Sequence, residues 1–360
     1  MVLPARSARD LRACAPEQDW AVLRFADEVV LTLFYAIAAI IVGFVAVVWG
    51  ADRFVHGAAG LASNLGVNRL VIGLTIVAFG TSAPEMLVSG MAAMAGSRSM
   101  GVGNAIGSNI TNVTLVLGAA ALVHPLSVHS RLLVREIPVL FLSMAVAWAF
   151  LWDGVLSQLE GLALFFGLFL LIAWIGTQAR AKDVGVADAT AGGFDQDDIP
   201  DSLPTAKAIV LFSVGLVLLL LGSRVLVWGA VGIARDLGVS ELVVGLTLVA
   251  LGTSLPELAA SVAAARRGEE DIAVGNVVGS NMFNLLGVLA LPGIIAPGEV
   301  ERSVTRRDFP IMVGVTLLLL LMAVNERSRI GRVRGITLIL VFIAYFVMLF
   351  WNPSLPGMSG

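Results

Sequence analysis

Long apolar runs, separated by short polar stretches, divide most of the chain into segments of membrane-spanning length. The runs Val29–Ala51 and Ile272–Gly298 carry no charged residue. Each is long enough to cross about 30 Å of hydrocarbon as a helix. The pattern predicts ten spans, five in each half of the chain, over residues 29–51, 68–96, 101–125, 135–152, 158–177, 207–230, 240–265, 272–296, 308–325 and 334–352.

Composition agrees with this pattern and narrows the class of protein. The chain is 58% hydrophobic and 14% charged, with a mean hydropathy of +0.92. The continuous apolar runs favour an all-α integral membrane protein over a β-barrel, whose strands alternate apolar and polar residues. A single cysteine, Cys14, excludes an intramolecular disulfide and a cysteine-based metal site. We expect the lipid bilayer as a partner and no nucleic acid.

One motif occurs twice, 172 residues apart. Gly73–Glu85 reads GLTIVAFGTSAPE, and Gly245–Glu257 reads GLTLVALGTSLPE. The match continues outside the motif, since residues 57–73 agree with 229–245 at ten of seventeen positions. Five spans per half make the second half enter the membrane from the opposite side. The sequence therefore predicts two inverted five-helix repeats.

The segments outside the spans are polar, and we interpret them as solvated. The linker between the two halves, residues 178–206, contains Asp195, Asp197, Asp198 and Asp201. It lacks the glycine turn and terminal glutamate of a calcium-binding loop. The distribution of arginine and lysine among the loops predicts that both chain termini lie outside. The predicted units are an N-terminal extension 1–28, a first repeat 29–177, an acidic cytoplasmic linker 178–206, a second repeat 207–352 and a tail 353–360.

The duplicated motif places ionisable and hydroxyl groups inside an apolar span. In a helix, Thr81, Ser82 and Glu85 share a face. Pro84 has no N–H, so it leaves carbonyls near Gly80 without a helical partner. A carboxylate within a membrane span is by default a functional-site hypothesis because its burial is costly. The second copy repeats these groups at Thr253, Ser254, Pro256 and Glu257.

The span after each motif adds neutral oxygens at four-residue spacing. Packing is the usual role of single Ser and Gly residues in such helices. Repeated beside two acids, however, they form an all-oxygen set of the kind that Ca²⁺ and Na⁺ prefer. Two carboxylates would also balance the charge of one Ca²⁺. The residues are Asn104, Ser108 and Asn112 in the first half, and Asn276, Ser280 and Asn284 in the second.

These residues resemble a known family. GTSAPE at 80–85 with GNAIGSNITN at 103–112, and GTSLPE at 252–257 with GNVVGSNMFN at 275–284, are similar to the α-1 and α-2 repeats of the Ca²⁺/cation antiporter superfamily. The resemblance is closest to prokaryotic sodium/calcium exchangers and covers about residues 30–352. It implies ten helices in two inverted halves.

The resemblance also implies roles for individual residues. Glu85 and Glu257 would bind both Ca²⁺ and Na⁺. The backbone carbonyls of Thr81, Thr253, Ala78 and Ala250 would also coordinate the ions. Ser82, Ser254, Ser108 and Ser280 would serve Na⁺, while Asn112 and Asn284 would line the central position.

Asn284 is a departure from part of the family, because some prokaryotic exchangers and the K⁺-dependent exchangers have an acid there. It argues against K⁺ co-transport and removes one titratable group. The sequence thus predicts a secondary active antiporter of the cytoplasmic membrane, not an enzyme, that transports Ca²⁺ and Na⁺ and needs no cofactor. Three alternatives stay open: Ca²⁺/H⁺ exchange, a cation channel, and an intramembrane hydrolase using Ser82 or Ser108.

Overall fold

The structure is a computed structural model that describes residues 17–128, 132–180, 203–236, 250–324 and 329–351. Most of these residues are helical. Residues 1–16 of the predicted extension, 181–202 of the predicted linker and the whole tail 353–360 lie outside the described ranges.

The first helix, α1 (Glu17–Leu65), extends beyond both ends of the predicted span 29–51. It ends at Gly66, whose φ of 62° lies in the left-handed region that favours glycine. The N–H of Val67 then bonds the carbonyl of Ala62 at 2.9 Å, which closes the last turn. The charged residues that follow the apolar run therefore do not end the helix.

A second long helix, α9 (Thr205–Asp236), packs along α1 through glycine-lined contacts. A Cβ atom on Gly57 would lie 2.3 Å from the backbone nitrogen of Phe212. A Cβ atom on Gly215 would lie 2.3 Å from the backbone nitrogen of Phe54. Such contacts leave no room for a side chain, so the two backbones touch. We call this packed unit the α1–α9 pair.

The other helices form the body of the molecule. In the first half they are α2 (Arg69–Ile72), α3 (Ala78–Thr81), α4 (Ala83–Met94), α5 (Arg98–Thr111), α6 (Leu117–Val123), α7 (Ile137–Leu151) and α8 (Gln158–Arg180). In the second half they are α10 (Ala250–Thr253), α11 (Leu255–Arg266), α12 (Glu270–Phe283), α13 (Ala290–Ile295), α14 (Phe309–Ala323) and α15 (Arg332–Trp351). Wider π-helical turns occupy Gly73–Val77, Asn112–Val116, Leu132–Glu136, Asn284–Val288 and Val304–Asp308.

Two short antiparallel strand pairs join loops at the helix ends. Strand β1 (Leu126–Ser127) pairs with β4 (Arg329–Ile330), and β2 (Val155–Leu156) pairs with β3 (Gly298–Glu299). The all-α prediction did not include these strands. They lie in the connections and leave the helical body unchanged.

Seven helical stretches within the described ranges are long and apolar enough to cross a membrane. A bent pair, Arg69–Thr81 with Ala83–Met94, makes an eighth stretch if its two helices, bent by 42°, are counted as one span. These stretches confirm the prediction of a largely helical, multi-pass fold. The predicted span 240–265 lies partly outside the described residues, and 308–325 corresponds to the shorter α14. Ten spans and the inverted relation of the halves stay predictions.

Helix α12 is the most buried element near the duplicated motif. Every residue from Ile272 to Phe283 is buried. A Cβ atom on Gly279 would lie 2.5 Å from the carbonyl oxygen of Leu74, and one on Gly275 would lie 2.8 Å from that of Leu70. The two glycines thus bring α12 against the backbone at the start of the first motif. This contact places Asn276 of α12 beside Thr81, the last residue of α3.

Candidate ion-binding site

The first motif is broken at Ser82, between α3 and α4. Ser82 has φ −82° and ψ 3°, and Pro84 lies in the first turn of α4, where it has no N–H to donate to the Gly80 carbonyl. The break therefore lies where the sequence predicts a carbonyl without a helical partner. Thr81 is the last residue of α3 and Glu85 lies in the first turn of α4, so the two residues stand on either side of the break. The 42° bend at the break separates them.

The second motif has the same break. Ser254 separates α10 from α11 with φ −87° and ψ 3°, and Pro256 lies in the first turn of α11. The matching dihedral angles show that the repeated sequence produces repeated backbone geometry. Each break places one glutamate at the start of a new helix, where helix N-terminal N–H groups favour negative charge.

The two glutamates are buried and are approached by hydroxyl groups from the opposite motif. Glu85 is 1% exposed and Glu257 is 0% exposed. Ser82 Oγ donates a hydrogen bond to Glu257 Oε1 at 3.1 Å. In the other direction, Thr253 and Ser254 lie beside the Glu85 carboxylate. Groups from both halves of the chain therefore meet around the two carboxylates.

Several oxygens of this site have no hydrogen-bond partner of normal geometry. They are both carboxylate oxygens of Glu85, Oε2 of Glu257, and the hydroxyl oxygens of Ser254 and Ser280. Burying such groups without a partner is costly, so their free lone pairs suit a cation. Within the described ranges, no group of three or more His, Cys, Asp or Glu residues could hold a metal ion. The carboxylate charge of this site comes from the two glutamates.

Matching asparagines fix the backbone beside each glutamate. Asn104 Nδ2 donates to the Glu85 carbonyl at 3.2 Å and lies 3.0 Å from Ser89 Oγ. Asn276 makes the related contacts, at 3.3 Å to the Glu257 carbonyl and 2.9 Å to Ser261 Oγ. Sequence analysis did not single out the two serines. Their signal was the match between residues 73–89 and 245–261, which contains both.

A further contact joins the first motif to α12. The hydroxyl of Thr81 lies 3.0 Å from Asn276 Oδ1 and 3.3 Å from the carbonyl oxygen of Ala78. The Ala78 carbonyl also accepts the N–H of Ser82 at 2.9 Å. The backbone carbonyl expected to bind an ion is thus part of the hydrogen-bond network of the break. Its counterpart Ala250 is the first residue of α10.

The predicted residues Ser108, Ser280, Asn112 and Asn284 are also buried, whereas Asn104 is half-buried. Ser108 and Ser280 each lie one helical turn before Asn112 and Asn284. Asn112 Nδ2 donates to Asn281 Oδ1 at 3.1 Å, and sequence analysis missed Asn281. The repeated Gly-Ser-Asn of both halves was the signal that pointed to it.

The model of the sodium/calcium exchanger protein family matches residues 35–177 and 207–351. CaxA of Alkalimonas amylolytica is 46% identical over 318 residues, which cover 86% of this chain and 97% of CaxA. Inner membrane protein YrbG of Escherichia coli is 40% identical over 320 residues, covering 89% of this chain and 98% of YrbG. The sodium/calcium exchanger MaX1 of Methanosarcina acetivorans is 33% identical, covering 87% and 97%.

A solved structure has the same fold. It is the sodium-calcium exchanger NCX_Mj, soaked with 10 mM Na⁺ and zero Ca²⁺. The two structures agree with a TM-score of 0.75 at 33% sequence identity, over 88% of this chain and 99% of NCX_Mj. The similarity therefore extends over nearly the whole of that exchanger.

Proposed function

The chain belongs to the sodium/calcium exchanger protein family, and from this premise we propose that it exchanges Ca²⁺ for Na⁺ by alternating access. The observation that carries the proposal is the pair Glu85 and Glu257, buried with unpartnered oxygens and faced by hydroxyls of the opposite motif. We place the protein in the cytoplasmic membrane with both termini outside. Ca²⁺ and Na⁺ are its transported substrates.

Charge balance supports Ca²⁺ as one substrate. Two ionised carboxylates facing each other within a membrane are costly to carry across it. One Ca²⁺ between Glu85 and Glu257 neutralises both and satisfies their free oxygens. Ca²⁺ takes six to eight oxygen ligands, which the neighbouring hydroxyls, amides and carbonyls would supplement. An empty site would resist movement, so net transport requires an ion in each direction.

Neutral oxygens support Na⁺ as the counter-ion. Na⁺ carries half the charge of Ca²⁺, so it can be held at a position that combines one carboxylate with hydroxyl and carbonyl groups. Ser82, Ser254, Ser108 and Ser280 provide hydroxyls of this kind. Because the same two carboxylates would serve both ions, binding of Na⁺ would displace Ca²⁺. This competition is the basis of exchange.

The α1–α9 pair supplies an element that could move as one body. Its two backbones touch at the glycines described above, so relative sliding between the two helices would be blocked. The pair lies against the first break through flexible side chains, since a Cβ atom on Gly80 would meet Leu216 at 3.2 Å and Phe54 at 3.7 Å. We propose that the pair rocks against the body and exposes the site to each face in turn.

The test measures ⁴⁵Ca²⁺ uptake into proteoliposomes loaded with Na⁺, compared with Na⁺-free vesicles that carry a pH gradient. We expect uptake that requires internal Na⁺ and increases with it. Empty liposomes with the same gradients correct for leakage. Uptake that ignores Na⁺ in both kinds of vesicle would contradict the proposal.

Ca²⁺/H⁺ exchange is the second candidate, and one observation favours it. Both oxygens of Glu85 are buried beside Glu257 and without a hydrogen-bond partner, so protons could neutralise the pair in place of Na⁺. In the experiment above, uptake that follows the pH gradient in the absence of Na⁺ would support this function. The site and the moving pair would be the same in both cases.

A further inference from the structure

Two asparagines outside the predicted ligand set form a hydrogen-bonded chain across the centre of the molecule. Asn112 Nδ2 donates to Asn281 Oδ1 at 3.1 Å. Asn281 Nδ2 in turn donates to the backbone carbonyl of Asn109 at 3.4 Å. Asn109 and Asn281 are both 0% exposed. They occupy related positions in the two repeats, on α5 and α12 respectively.

The repeat predicts a second bond that the structure does not make. The residue related to Asn112 is Asn284, and the residue related to Asn281 is Asn109. The counterpart bond would run from Asn284 Nδ2 to Asn109 Oδ1. Both of these atoms are buried without a hydrogen-bond partner within the described residues. The Asn109 amide nitrogen instead lies 3.3 Å from the sulfur of Met312.

The bond that is made determines which end of the Asn112 amide is free. Its nitrogen is engaged by Asn281, whereas Asn112 Oδ1 is buried and has no partner. An amide offers an oxygen that can bind a cation and an NH₂ group that cannot. By holding the nitrogen, Asn281 leaves the oxygen available. Asn284 has neither end of its amide held.

We propose that Asn281 and Asn109 are positioning residues that orient the amides of Asn112 and Asn284 in alternate states of the transporter. The inference rests on the proposed exchange and deepens it. In the state described here, Asn281 holds Asn112. In the state open to the opposite face, Asn109 Oδ1 accepts from Asn284 Nδ2, and Asn112 is released.

The reason for the alternation is the repeat itself. In a transporter built from inverted repeats, the two halves exchange arrangements when access changes from one face to the other. A hydrogen bond made in one half and absent from the other is the kind of difference that this exchange reverses. Each state then contains one such bond, so switching costs no net hydrogen bond.

A role in packing alone fits the contacts less well. A buried polar atom without a partner costs more than a hydrogen bond of average strength contributes. Apolar side chains at 109 and 284 would pack without that cost. The absence of the bond between Asn284 Nδ2 and Asn109 Oδ1 is therefore an unfavourable feature of this structure. A switch between two states explains it.

The test measures the Ca²⁺ KM separately at each membrane face, using right-side-out and inside-out vesicles that contain the full-length protein. We expect Asn281→Ala to raise the Ca²⁺ KM about five-fold at one face, the equivalent of losing one hydrogen bond, with little change in kcat. Asn109→Ala, the matched variant, should raise the KM at the opposite face. In the Asn112→Ala background, Asn281→Ala should add nothing further, because it acts through Asn112.

Equal KM changes at both faces, additive effects in the double variant, or no change would overturn the inference. If the alanine variants fail to purify as monodisperse protein, Asn281→Thr and Asn109→Thr are measured instead, with the same face dependence expected. Failure of the proposed Na⁺ coupling can be distinguished from failure of this inference. A wild-type flux that is independent of Na⁺ contradicts Na⁺ exchange but leaves the KM comparison at the two faces readable.

Discussion

Positions 98 and 270 are related by the repeat, yet they hold their neighbouring loops with opposite chemistry. The Arg98 guanidinium donates to backbone carbonyls in residues 296–299, at 2.6 Å to Pro297 and 2.9 Å to Glu299. Glu270 accepts the N–H of Ser127 at 2.6 Å and lies 3.1 Å from His124 Nε2. Residues 124–127 and 296–299 are themselves related by the repeat. The geometry is repeated while the charge is reversed.

The site shows the opposite behaviour, since its acidic and hydroxyl residues are repeated together with the backbone break beside them. In the proposed mechanism Glu85 and Glu257 bind the same ion, so a change of charge in either would change the site as a whole. We call the contacts made by Arg98 and Glu270 the loop clamps. Each clamp needs only a hydrogen-bond donor or acceptor that matches the backbone group of the loop it contacts. The comparison shows that the two repeats share the same residues at the candidate ion-binding site. At the loops near the helix ends they share only the backbone geometry.

One ion pair extends this difference to the α1–α9 pair. Arg267 Nη2 lies 2.6 Å from Asp52 Oδ1, which joins α1 to the turn after α11. The related positions carry Arg224 and Ala95, so the same ion pair cannot form at the opposite end. The ion pair therefore joins α1 to the body at one end. The related positions of α9 and the body, Arg224 and Ala95, form no such pair.

The largest expected effect on transport comes from the two glutamates of the candidate ion-binding site, which are matched in the two repeats. Glu85→Gln and Glu257→Gln should each reduce Na⁺-dependent ⁴⁵Ca²⁺ uptake to the level of empty liposomes, a loss of at least about 100-fold, because one carboxylate cannot balance Ca²⁺ in the membrane. Glu299→Gln, which changes an exposed carboxylate at a loop, is the matched control and should transport normally. Normal uptake by either of the first two variants would show that the halves are not equivalent at the site.

A smaller effect tests the loop clamps. Arg98→Gln removes charged donors to several carbonyls, including that of Ala296, and should destabilise the protein by about 2 kcal/mol. The Tm in detergent should fall by about 5 °C. Glu270→Gln keeps an oxygen that can accept the Ser127 N–H, so its Tm should fall less. A larger fall for Glu270→Gln would mean that the contact with His124, not the backbone contact, dominates that clamp.

The smallest expected effect comes from the ion pair between Asp52 of α1 and Arg267. The side chains of Asp52 and Arg267 are 44% and 32% exposed, so the pair contributes less than about 1 kcal/mol. Asp52→Asn should change the Ca²⁺ KM by about two- to five-fold, mainly at the face that carries Asp52. Raising the ionic strength should weaken the wild-type contact and reduce the difference. Arg224→Gln is the control, and an equal change in that variant would refute the asymmetry of the two ends.

Sequence reasoning identified the buried acids and the carbonyls left without a helical partner by proline because both follow from local chemistry. An intramembrane carboxylate is costly wherever it lies, and Pro84 lacks an N–H in any fold. The partners of the acids were not accessible in this way. Ser82 was assigned to the face of Glu85, whereas it bonds Glu257, because the break and the packing of the two halves decide which carboxylate it meets.

Asn281 was missed for a related reason. The four-residue spacing of Asn276, Ser280 and Asn284 selects one face of a regular helix, and Asn281 lies off that face. A π-helical turn begins at Asn284, as another does at Asn112. Asn281 lies before its own turn, within α12, and meets Asn112 of the other half, so spacing along one helix could not identify the pair.

The end of the first span was placed too early because hydropathy records contact with lipid rather than helical structure. Asp52 and Arg53 end the apolar run, yet α1 continues through them. The Asp52 charge is paired with Arg267, and the Arg53 guanidinium lies 3.9 Å from the centre of the Trp49 ring. Both charges therefore have partners without any break in the helix.

The contact between α1 and α9 also has a consequence for biosynthesis. Gly57 meets the backbone at Phe212, so the glycine-lined face of α1 has no partner until α9 leaves the ribosome. At the usual rate of translation this delay is about 10–30 s. During that time the first half is inserted with one face of its longest helix open to lipid. The two halves therefore complete their folding together, and a chain that stops before α9 leaves α1 exposed to other membrane proteins and to quality-control proteases.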